Sequence, residues 1–145
     1  MPSYTSQGIV YSILIARVAI QDLDEIASVH PEASDTIWAL LEEVKANQSL
    51  LDSLTSHDYG AYKTEAYHVS VWGTQHAQGR NLWRLKIWEL EELGEQYRVV
   101  YCLDPRFSRY YVLGVFHRDF NYDESDPRTL RVLASYDRIG VPDYR

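Results

Sequence analysis

With 145 residues, 46% of them hydrophobic and 13% aromatic, the chain reads as a single domain, 1–145, with apolar mass enough for an ordinary core and too much for disorder. A formal net charge of −7 argues against a general nucleic-acid binder, because neutralising phosphate dominates such affinity. A lone cysteine, Cys102, excludes an internal disulfide and fits a cytoplasmic protein.

The first element expected is a strand over 9–18, dense in Ile, Val, Tyr and Leu. A short helix over 21–29 follows, with Ile20, Leu23 and Ile26 as its apolar side and Pro31 as its stop. Ser34 or Asp35 is a plausible N-cap for a longer helix whose Ile37, Trp38, Leu41 and Val44 fall on one face. Asn47 breaks that pattern, and Leu50, Leu51 and Leu54 add a turn or two. Residues 56–64 read as loop and 66–72 as a strand. A turn centred on Gly79 leads into a strand over 82–90, and a loop at 91–96 into a strand over 97–103. A further strand spans 110–117. Ser125-Asp126-Pro127 looks like a cap followed by Pro in the first turn of a last helix that Gly140 and Pro142 end. Short connections favour antiparallel pairing. The expected fold is therefore α+β: an antiparallel sheet of about four strands, an N-terminal helical hairpin on one face and a C-terminal helix.

Charge is unevenly spread. Residues 1–75 hold three Lys or Arg against ten Asp or Glu, whereas residues 76–145 hold eleven of each. Within the second half, basic side chains thread three consecutive strands. Alternation puts Arg84 and Lys86 on one face of their strand while Trp83, Leu85 and Ile87 take the other. Arg98 lies in the next strand, and His117 and Arg118 sit where the last one runs out. Cleaving RNA without a metal needs a base for the 2′-hydroxyl, cations for the phosphate and a donor for the leaving 5′-oxygen. Arg84, Lys86, Arg98 and Arg118 suit the second task, and His117 the first or third. Tyr122 could donate a proton if neighbouring cations lower its pKa. From composition alone, the plainer reading of such cations as a solvated sheet face is favoured.

Other signals are weaker. Histidines 30, 57, 68, 76 and 117 lack paired metal-ligand spacing, and no Gly-rich phosphate loop is present, so neither metal nor cofactor is expected. Glu91, Glu92 and Glu95 read as a solvated turn. Cys102 reads as an inert buried thiol. Trp88 shares a face with Arg84 and Lys86, where it either stacks on a base or covers the sheet. No apolar stretch is long enough to span a membrane, and residues 1–8 lack the character of a signal peptide.

Taken in order, several segments resemble the RelE/ParE superfamily of bacterial toxin-antitoxin proteins. Leu82-Trp83-Arg84-Leu85-Lys86-Ile87 and Tyr97-Arg98-Val99-Val100-Tyr101 look like its paired sheet strands. Residues 112–118 look like the following strand with its basic or His-bearing tip, 19–26 are similar to its first helix, and 47–54 to the end of its helical hairpin. Residues 59–78 look like an insertion, and the chain is longer and more acidic than is usual there. The resemblance implies one of two activities. RelE-like members cleave messenger RNA on the ribosome without a metal, whereas ParE-like members bind DNA gyrase. Carried over by position, the catalytic set would be Arg98, Arg118 and Tyr122, with His117 as the tip histidine of other members. Arg84 and Lys86 would bind substrate, with Trp88 beside them. It further implies a cognate antitoxin that covers this surface.

Overall fold

The computed structural model describes residues 3–5 and 8–143, with side chains from residue 8 onward. Residues 1, 2, 6 and 7 of the segment read as lacking a signal peptide lie outside the described residues. Two short strands, β1 (Ser3–Thr5) and β2 (Gly8–Val10), form an antiparallel hairpin. The main sheet has five strands: β3 (Ser12–Ile15), β4 (Tyr67–Val71), β5 (Leu82–Ile87), β6 (Tyr97–Asp104) and β7 (Arg109–His117). Their order is β3-β7-β6-β5-β4.

The sheet is mixed, which corrects the all-antiparallel expectation. β4 through β7 form the antiparallel run, but β3 lies parallel to β7, with Ser12 opposite Arg109 and Ile15 opposite Val112. The long crossover between β3 and the rest makes that pairing possible. The expected first strand is also broken. β3 ends at Ile15, and α1 (Arg17–Val29) starts well before the expected helix.

Pro31 opens the second helix rather than merely ending the first. It stands at the start of α2 (Pro31–Lys45), where its fixed φ and missing N–H cost nothing. Ser34 is accordingly not a cap; its hydroxyl donates to the Leu23 carbonyl and ties α2 to α1. Asn47 does break the helix, and its side chain accepts from the Ser49 and Leu50 amides to start α3 (Gln48–Ser53). α1, α2 and α3 cover one face of the sheet over a core that includes Leu23, Ile37, Leu41, Leu51, Val69, Leu85, Tyr101 and Val112.

The opposite face is only partly covered. α6 (Pro127–Ile139) packs Val132 and Tyr136 against Leu82, Val100, Cys102 and Leu113. Its start and stop follow the sequence: the Asp126 carboxylate accepts from the Arg128 amide, Pro127 is in the first turn, and Gly140 ends the helix in the left-handed conformation. A bidentate pair holds α6 to α1. Arg131 donates to both oxygens of buried Asp22 at 3.0 and 2.6 Å, and Asp22 also accepts from the Val115 amide of β7. Two helical turns complete the fold: α4 (Gly73–His76) and α5 (Trp88–Glu92). α5 replaces the last third of the expected strand over 82–90. Among the described residues no helix is long and apolar enough to cross a membrane.

Candidate functional site

Where α6 stops covering the sheet, the β4-β5-β6 end of that face opens into a polar cleft of about 330 Å³. Alternation aims side chains into it. On β5, Leu82 sits under α6 and Arg84 and Lys86 extend past it; on β6, Val100 and Cys102 are likewise covered while Arg98 reaches the opening. His68 and Ser70 of β4 stand opposite Lys86 and Arg84. The far wall comes from the segment after β7. Arg118 begins a short 3-10 turn over Arg118–Phe120, and Asn121 and Tyr122 then turn the chain back with φ of 54° and 57°. Two successive non-glycine residues in the left-handed region are strained, a state that surrounding structure must enforce. The enforcement is aromatic. Tyr122 packs edge-on against Phe120 at 4.7 Å and Trp72 at 5.4 Å, and the Arg84 guanidinium lies 4.3 Å from the centre of its ring.

The cleft thus gathers Arg84, Lys86, Arg98, Arg118 and Tyr122 of the residues singled out from the sequence. It does not gather His117. That side chain is half exposed on the other face, edge-on to Tyr97 at 5.8 Å and engaged with the Asp119 amide and carboxylate. Register explains it: His117 pairs with Tyr97, whereas Arg98 pairs with Phe116, so His117 and Arg98 point opposite ways. Trp88 does not line the cleft as a free platform either. It opens α5, donates its indole N–H to the Gly60 carbonyl, and stacks parallel on His68 at 5.7 Å with Lys86 4.8 Å from its ring.

Electrostatics are unbalanced inside the cleft. Of its four cations only Arg98 has a carboxylate partner among the described residues, Glu91 at 3.1 Å. Both side chains are largely buried, so Glu91 is no solvated turn residue; α5 carries it back over the sheet. Burial, and then the charges of Arg98, Arg84 and Arg118, push the Lys86 ammonium below the usual lysine pKa, with Glu91 pulling the other way. Tyr122 moves opposite to expectation. Burial raises its phenol, outweighing Arg84 and Arg98, and its hydroxyl has no hydrogen-bond partner within the protein. Arg84 and Arg98 pull it the other way through their charge and through side-chain hydrogen bonding, although neither meets full hydrogen-bond geometry with the hydroxyl.

Asp119 and Asp123 stay out of the cleft. Asp119 is taken up by Arg128 at 2.9 Å and its carboxyl is held below the usual range, and Asp123 accepts from Ser125. Cys102 is buried, and burial pushes its thiol up to about 12.

Ser70, Asn121 and His68 also line the cleft without having been singled out from the sequence as site residues, and of the three His68 can take up a proton. Its Nε2 lies 3.1 Å from Asp58 Oδ1, and its Nδ1 is buried without a partner. The alternation of Tyr67 and Val69 inward against His68 and Ser70 was the available signal. No family model matches the chain, and neither does any curated protein or solved structure.

Proposed function

We propose that the chain is a RelE/ParE-type toxin that cleaves RNA without a metal and so blocks translation. The carrying observation is the cleft itself: four cations around a polar cavity, sharing one carboxylate. Clustered like charges are held apart at a cost that an anion removes. A cavity of this size suits a nucleotide unit, with a phosphodiester between Arg84, Lys86 and Arg118. Arg98, braced by Glu91, adds its charge as negative charge builds on the phosphate. Tyr122 is the donor for the leaving 5′-oxygen, and its raised pKa keeps it protonated at neutral pH. The resemblance of the β5, β6 and β7 segments to the superfamily's strands supports the same reading. An antitoxin that covers this face, and messenger RNA on or off the ribosome, are the partners it calls for.

The test is induction in a bacterial host together with incubation of the purified protein with RNA in a chelator. Growth arrest and metal-independent cleavage are expected, both relieved by Arg84→Ala with a rate loss of about 100-fold or more. Intact RNA and unaffected growth would remove the enzymatic reading. The alternative is a non-catalytic toxin of the same kind that binds DNA gyrase. The tight Glu91–Arg98 pair favours it, since that arginine is already engaged. Inhibited supercoiling with intact RNA is the outcome that selects it.

A further inference from the structure

We infer that His68, oriented by Asp58, is the group that takes the proton from the ribose 2′-hydroxyl in this cleft. The inference rests on the endoribonuclease reading and supplies what that reading lacks, because His117 faces away. Several observations converge on His68. It is the histidine among the residues that line the cation-ringed cleft, beside Ser70 and opposite Lys86. Its Nε2 is 3.1 Å from Asp58 Oδ1. A carboxylate only accepts, so in the neutral ring Nε2 carries the hydrogen and Nδ1 is left as the acceptor. Nδ1 is the atom without a partner. A buried polar atom left unpaired asks for a reason, and a substrate hydroxyl would supply its missing hydrogen. Nδ1 is buried, so a substrate hydroxyl must displace the atoms over it to reach it.

The ring is held as a working base needs to be. Trp88 stacks on it with planes 4° apart, and the indole is fixed in turn by the Gly60 carbonyl. Asp58 sits in the left-handed region at φ 66°, in a turn pinned to β4 by its own amide bonding the Val69 carbonyl. The arrangement is that of a base with an orienting carboxylate behind it. Charged groups around the pair are His57, 3.5 Å from Asp58 Oδ2, Lys63 over the far side of Trp88, and Lys86, Arg84, Arg98 and Arg118 from β5, β6 and the segment after β7.

The step balances within the cleft. The 2′ O–H bond breaks and its proton goes to Nδ1. The 2′-oxygen bonds to phosphorus as the bond from phosphorus to the 5′-oxygen breaks. That oxygen takes a proton from Tyr122, leaving a 2′,3′-cyclic phosphate and a 5′-hydroxyl. Solvent returns both side chains to their starting states. The substrate must therefore carry a 2′-hydroxyl, and an all-deoxy strand binds uncut.

The experiment compares wild type, Arg84→Ala, His68→Ala and Asp58→Asn on a ribo-oligonucleotide in chelator, with an all-deoxy oligonucleotide as binding probe. His68→Ala is expected to lose rate by about 10²- to 10³-fold. It should lose far less affinity for the all-deoxy probe, and added imidazole should restore part of the rate. Asp58→Asn should move the acidic limb of the pH–rate profile. If His68→Ala cleaves like wild type while Arg84→Ala is impaired, the role of His68 is overturned and the endoribonuclease reading stands. A slow His68→Ala protein that imidazole does not help, and whose affinity falls in step, makes His68 a packing residue and overturns the inference too. Wild type that binds the deoxy probe yet leaves RNA whole overturns both.

Discussion

Lys86 reports most directly on what the cleft is for. Its folded pKa lies below the ordinary lysine value, so the fold disfavours its charge. The stability this costs is fully present below the folded pKa and is recovered as the pH rises through it. An anion bound among the four cations should reverse the shift. Titrating Lys86 by NMR should give a midpoint below that of a lysine peptide, moving up when an all-deoxy oligonucleotide is added. A midpoint that the oligonucleotide leaves in place would show that no phosphate sits there. Arg84 and Lys86 could be placed together from alternation alone, because a strand's period is fixed. The left-handed Asn121 and Tyr122 could not, because Asn tolerates positive φ but nothing in a tyrosine announces it; Tyr122 is held there by packing on Trp72 and Phe120. His68 and Asp58 were equally hidden, being ten residues apart and joined through a turn at Gly60, where a Cβ would run into the Tyr67 carbonyl.

Among the elements, α6 decides where the cleft begins, and Asp22–Arg131 helps decide where α6 lies. Asp22 is one of few buried charges, and its partners come from two other elements, Arg131 of α6 and the Val115 amide of β7. Asp22→Ala leaves the guanidinium and the amide without their acceptor. With Arg131 about a third exposed, a loss of about 2–3 kcal/mol is expected, below the range for a fully buried pair. Urea denaturation measures it; an unchanged midpoint would show that the pair holds nothing. The limits of β5, β6, β7 and α6 were legible to a few residues because alternation, turns and caps mark them. α5 was not, since Trp88 and Leu90 alternate with Glu89 as strand residues would while the backbone has already turned helical. Nor was the parallel β3–β7 pairing, for the residues of an edge strand do not say which neighbour they will meet.

For the whole molecule, the charge asymmetry of the sequence becomes a geometric one. A chain of net charge −7 still gathers three cations without a carboxylate partner, Arg84, Lys86 and Arg118, in one opening. Binding to single-stranded nucleic acid should then depend on salt only as a small site does. Four phosphate contacts give a slope of about −3 in log K against log salt. A much steeper slope by fluorescence anisotropy would mean that the strand runs well beyond the cleft.

The pairing of β3 with β7 also sets a timetable. β3 leaves the ribosome early, yet its partner is made some hundred residues later. Domains form from the N-terminus onward during synthesis, and distant pairings come last. The α1–α2 hairpin can form at once, but the sheet it packs on is incomplete until β5, β6 and β7 emerge. During that interval Leu23, Ile26, Ile37 and Leu41 lack the sheet they finally lie against. The cleft is completed later still, when Tyr122 folds back over Arg84, so an unfinished chain lacks its far wall.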